Sequence, residues 1–200
     1  SNPYQLTEAD RTVIGNTTPK FSGGFGLNAT FKGFDVSAFF NFMYDFDVFN
    51  ANKVMMTTWA SNNYNNFSMD ISAAKRWRNF DDMGNEIRYS PEILAEFNKN
   101  ATMWNPTSIG RPIAMSYAVE DGSFLRLNTA TIGYTLPRAW TNKVGLSRVR
   151  FYASGYNLFT ITGYSGYDPE VDIATGLTPN IDNNRYPRSR TYTFGVQLTF

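Results

Sequence analysis

Tyr192-Thr193-Phe194-Gly195-Val196-Gln197-Leu198-Thr199-Phe200 alternates without a break. Tyr192, Phe194, Val196, Leu198 and Phe200 are apolar, while Thr193, Gly195, Gln197 and Thr199 are small or polar. Side chains of a strand alternate faces, so one face here is wholly apolar and the other hydrophilic. Such a strand suits a barrel wall with lipid outside and water or a plug inside. It also suits an edge strand of a soluble sandwich, and the rest of the chain has to separate the two.

The same period recurs upstream. Phe21, Gly23, Phe25, Leu27, Ala29 and Phe31 share one face of a predicted strand over 20–31. Lys32-Gly33 then makes a tight turn. Phe34, Val36, Ala38, Phe40, Phe42 and Tyr44 share a face of the next strand, 34–44. Each strand is about 11 residues long, the length a tilted membrane strand needs and roughly twice that of an average soluble one. A third strand is expected over 124–135. There Leu125 and Leu127 share one parity and Ala130, Ile132 and Tyr134 the other, so a β-bulge is expected near Asn128-Thr129. A fourth is expected over 148–158 and a fifth over 189–200.

The connections alternate in length: short at 32–33, long at 45–123, short at 136–147 and long at 159–188. Outer-membrane barrels have this sidedness, with short periplasmic turns and long extracellular loops. The reading is an all-β, antiparallel transmembrane barrel fragment, a multi-pass chain of the outer membrane with its C-terminus in the periplasm. Five strands do not close, since the smallest single-chain bacterial barrels have about 8. An open edge in hydrocarbon would leave backbone groups unpaired. The stretch is therefore expected to be the C-terminal part of a larger barrel. No signal peptide stands at Ser1, so a mature piece or fragment is expected.

Composition narrows the chemistry. The net charge is +1, so no global field recruits nucleic acid. There is no Cys and no His, which removes disulfides, thiol chemistry, the commonest general base and the Ser/His/Asp set. No enzyme activity, cofactor or metal is expected. The pairs Asp81-Asp82 and Glu120-Asp121 read as solvated loop acids rather than a glycosidase pair. Asp168, Glu170, Asp172 and Asp182 supply oxygens that suit calcium, but their spacing is not that of an EF-hand. Gly23-Gly24-Phe25-Gly26 lies inside a strand and is read as a place where a bulky plug approaches the wall. The loop 45–123 has helical stretches at 48–60 and 91–98. Trp59, Tyr64, Trp77, Arg78 and Trp104 in it are candidate substrate or partner contacts. Tyr192, Phe194, Val196, Leu198 and Phe200 are the candidate assembly signal.

Five segments carry a resemblance to a family. They are Asp10 to Gly24, Phe34 to Phe40, Gly122 to Leu127 with Ile132 to Pro137, Asn157 to Val171, and Tyr186 to Gly195. In order and spacing they resemble the C-terminal end of the SusC/RagA-like TonB-dependent transporters of Bacteroidota. The resemblance implies a barrel of about 22 strands filled by a plug. It also implies a SusD-like surface lipoprotein as lid, TonB engaged through a region outside this stretch, and surrounding outer-membrane lipid. The implied function is active import of large nutrients, foremost oligosaccharides, with a glycan or peptide as substrate. The alternatives are a soluble secreted carbohydrate-binding β-sandwich and a passive porin.

Overall fold

Five long strands form one antiparallel sheet in the computed structural model, which describes residues 9, 11–59, 66–107, 114–171 and 180–200. They are β1 (Phe21–Phe31), β2 (Phe34–Tyr44), β5 (Phe124–Thr135), β6 (Arg148–Thr162) and β8 (Thr191–Thr199), in the order β1-β2-β5-β6-β8. The shorter elements are β3 (Asp47–Asn50), α1 (Ala51–Thr57), α2 (Pro91–Asn98), β4 (Val119–Asp121), α3 (Arg138–Thr141) and β7 (Ile181–Asp182).

Register turns five alternating patterns into one surface. Phe31, Phe34, Tyr134, Phe151 and Val196 stand in one row across the sheet, and Ala29, Val36, Ile132, Ala153 and Phe194 in the next. Phe25 pairs with Phe40, their rings stacked 4.9 Å apart, and Phe40 pairs with Leu127. The parity flip in β5 is what keeps this surface apolar. β2 pairs Ala38 with Ala130 but Phe40 with Leu127, so the extra residue Asn128 returns both sets to one face. β6 answers with its own irregularity, where Asn157 takes a left-handed φ of 52°. Asn tolerates that region better than most residues.

Most of the apolar face is uncovered by the described residues, with Phe194 80% exposed; Val149, at its short-turn end, is the buried exception at 6%. A soluble sandwich would require a second sheet there. Among the described residues no helix is long and apolar enough to cross a membrane.

The opposite face is polar and internally bonded. Arg150 Nε donates to Asp35 Oδ1 at 2.9 Å, and its Nη2 donates to Oδ2. This fork passes over Gly133, where a Cβ would sit 2.6 Å from Asp35 Oδ1. Thr131 and Ser154 share a hydrogen bond of 2.8 Å. The space over Gly24, read from the sequence as a plug contact, is taken by the Phe39 ring, 2.8 Å from where a Cβ would stand. At the long-loop end of this face Phe46, Val48, Phe124, Tyr164 and Val171 make the core, with Met43 packed against it. Val48 belongs to β3, which pairs with β4, so the helix expected from residue 48 starts only at Ala51. β6 continues to Thr162, beyond the 158 expected.

Two compact units result. The first comprises Ser1–Phe49, Val119–Ile181 and Arg185–Phe200, and the second Asn50–Ala118 with Asp182–Asn184. In the second, Asn50 Oδ1 caps α1 by accepting from Lys53 N at 3.3 Å, and Pro91 opens α2. Val54, Ile71, Ile87 and Ala118 are its buried apolar residues among those described.

Candidate functional site

In the second unit the candidate contacts fall into separate places. Trp104 is half-buried, donates its Nε1 to Thr57 O at 3.1 Å, and meets Tyr117 edge-on at 5.1 Å. Trp59 is exposed, with its ring 5.8 Å from Phe67. Trp77 is exposed while its backbone N–H donates to Met103 O. Arg78 pairs with Asp82 at 2.6 Å and lies 5.4 Å over the Phe97 ring. Tyr64 lies outside the described residues. Trp104 is thus tied into the loop's own packing, and Trp59 and Trp77 are the exposed rings.

Asn98 organises this unit and was not singled out from the sequence. Its Oδ1 accepts from Arg78 N at 2.6 Å, and its Nδ2 donates to Arg78 O and Leu94 O at 2.9 Å. Its position at the end of α2 was the available signal. The acidic pairs are structural as well. Asp81 accepts from Met83 N and Asn85 N, and Glu120 accepts from Ser165 N and Oγ.

Asp70 gives this unit a pH dependence. Tyr117 OH donates to Asp70 Oδ2 at 3.0 Å and Ser68 Oγ at 3.1 Å. The Tyr117 bond first, and Ser68 second, hold the carboxyl below its ordinary value. A folded pKa below the unfolded one gives stability that is complete above the unfolded value, near 4, and is lost as pH falls through the folded one. Tyr117→Phe should therefore destabilise the protein at pH 7, with the gap to wild type narrowing at pH 3. A gap of equal size at both pH values in thermal melts would show that the bond does not favour the charged carboxylate.

In the first unit the sequence motifs converge on Arg126. This side chain is 2% exposed. Its Nη2 donates to Asp168 Oδ1 at 2.5 Å, and Glu170 Oε2 lies 3.6 Å from Nη1. Glu170 also accepts from Arg188 Nη2 at 2.7 Å, and Asp168 Oδ1 accepts from Glu170 N at 2.9 Å. Asp168 and Glu170, considered for calcium, are here the counter-ions of two arginines. Asp172 lies outside the described residues, and among the described residues no group of three or more acidic side chains is placed to hold a metal ion.

Tyr192, Phe194, Val196 and Leu198 stand exposed on β8, which pairs with β6 and forms one edge of the sheet; Phe200 follows it, also exposed. A long-stranded sheet, apolar and uncovered on one face and ion-paired on the other, has the geometry of an outer-membrane β-barrel transporter wall. No protein-family model matches the chain. It is 32% identical to TonB-dependent receptor P3 of Formosa agariphila over 98% of its own length and 18% of that protein. To TonB-dependent receptor SusC of Bacteroides thetaiotaomicron it is 32% identical over 75% of its length and 15% of that protein. The solved RagAB peptide transporter superposes with a TM-score of 0.73 at 26% identity, over 98% of this chain and 19% of that one. The chain belongs to the SusC/RagA-like TonB-dependent receptors and spans under a fifth of the length of these relatives. The relatives are receptors and transporters by name, and none is named as an enzyme.

Proposed function

We propose that this chain is the C-terminal part of the barrel of a TonB-dependent outer-membrane importer, about five strands of a wall of about 22. In this reading the loops 45–123 and 159–188 face the cell exterior and the C-terminus faces the periplasm. The protein takes up large nutrients, foremost oligosaccharides, under a SusD-like lipoprotein lid, with energy from TonB. Peptides are the alternative cargo, because RagAB is named a peptide importer. Trp59, Trp77 and Arg78 are the contacts proposed for cargo or lid in the described loop, with Tyr64 beside them in the sequence. The observation that supports the wall is the apolar face, continuous across all five strands and largely uncovered by the described residues.

Uptake of a labelled oligosaccharide and a labelled peptide by intact cells tests the reading. Import should stop when an uncoupler collapses the proton gradient; import that continues would make the protein a passive porin. Protease added outside should cut within 45–123 and spare Lys32-Gly33. A cut made only after the outer membrane is opened would reverse the topology.

Phe200, with Tyr192, Phe194, Val196 and Leu198, is proposed as the signal read during assembly, because an amphipathic edge strand can pair transiently with another sheet. Deleting Phe200 should lower the amount of inserted protein and leave transport per inserted molecule unchanged. Normal abundance with lost transport would refute that role.

A further inference from the structure

The short-turn end of the sheet holds cations that form no ion pair among the described residues. The turn Phe31-Lys32-Gly33-Phe34 has φ of 46° at Lys32 and 87° at Gly33, the left-handed pair of a two-residue hairpin. This turn brings Lys32 Nζ to 5.2 Å from the centroid of the Phe31 ring, which belongs to the apolar face. The other short connection carries Arg138, Lys143 and the exposed Trp140. No Asp or Glu occurs from Gly122 to Tyr167. Asp35, the acid that follows this turn in the sequence, is engaged by Arg150 on the polar face. Cations at the long-loop end are paired instead: Lys20 with Asp45, Arg126 with Asp168, and Arg188 with Glu170.

An apolar groove begins at this same end. Ala153 stands between Ile132 and Phe194, and Gly155 between Ala130 and Tyr192, so small residues on β6 run between bulkier neighbours. The groove is about 510 Å³, lined by Phe34, Ile132, Tyr134, Ala153, Phe194 and Val196 among others. Beyond Ala153 the space over Gly155 is taken by Leu158, whose Cδ2 lies 2.6 Å from where a Cβ would be. Along β6 the lining runs from Phe151 to Ala153, about 7 Å at the ordinary strand rise.

We propose that this rim and groove bind one anionic glycerophospholipid. Its phosphate and acidic headgroup lie against Lys32, Arg138 and Lys143, its acyl chain lies along β6, and Trp140 sits at the interface. The site rests on the barrel reading above. Charge complementarity selects the occupant: an acyl chain alone would fit any lipid, but a rim with three basic side chains at the mouth of the groove favours a net negative headgroup.

The test uses the purified receptor in nanodiscs of equal phosphatidylglycerol and phosphatidylcholine, with retained lipids read by native mass spectrometry. Wild type should retain phosphatidylglycerol in preference. Lys32→Asn, which suits the left-handed turn, should reduce that preference about fivefold. Ala153→Phe, which fills the groove, should lower retention of both lipids alike. Equal retention of the two lipids by wild type, or an unchanged preference in Lys32→Asn, would overturn the site while leaving the barrel intact. A receptor that fails to enter the discs at all would overturn the barrel reading and this site with it.

Discussion

Arg126→Met should cost about 3–5 kcal/mol of stability, the loss expected when one partner of a buried ion pair is removed. Met approximates the arginine stem and keeps the volume, so the loss reports the charge rather than a cavity. In wild type Arg126 is 2% exposed, and the carboxylates of Asp168 and Glu170 are 14% and 17% exposed. Without the guanidinium, Asp168 keeps the backbone N–H of Glu170 and Glu170 keeps Arg188, but the shared positive charge between them is gone. Adding Asp168→Asn to Arg126→Met should then recover part of the loss, because one unpaired buried charge is removed. Thermal unfolding in detergent, with limited proteolysis across 163–171, reads both effects. A melting temperature within about 1 °C of wild type for the single variant would mean that the cluster contributes nothing net.

Ala38→Arg should cost about 2–4 kcal/mol in a membrane, the amount expected of a charge on the lipid face near mid-depth. Ala38 lies mid-strand in the row with Leu27, Ala130, Gly155 and Tyr192. Val36→Arg, in a row nearer the short turn, should cost less, because a long side chain there reaches the interface. Ser37→Arg should cost least, since Ser37 pairs with Asn28 and Thr131 on the polar face. Refolding titrations in lipid vesicles give the order. If Ala38→Arg and Ser37→Arg cost the same, the apolar face does not meet lipid.

The strands were readable because alternation is a local property. A period of two follows from strand geometry wherever the chain is extended, so Phe34 to Tyr44 announces its own two faces. The parity change between Leu127 and Ala130 was readable for the same reason, since it is meaningful only if both sets must reach one surface. The region 46–121 carries no such period. Whether Val48 opened a helix or joined a small sheet depended on β4, some 70 residues further along the chain. Asn98 looks like any polar residue at a helix end until Arg78 is placed against it.

Taken alone, the sequence determined long amphipathic strands, their short and long connections, and a family resemblance borne by motifs in order. It left the soluble sandwich open, because one alternating strand looks the same whether lipid or a second sheet covers it. The tertiary structure decided what register alone can decide: one continuous apolar face, most of it uncovered by the described residues, and ion pairs between residues 42 and 115 positions apart. Asp168 and Glu170 were acids of uncertain purpose in a loop, and Arg126 was one of several cations. Their roles emerged only when folding brought them to one buried place, where the cost of desolvating each charge requires an opposite one beside it.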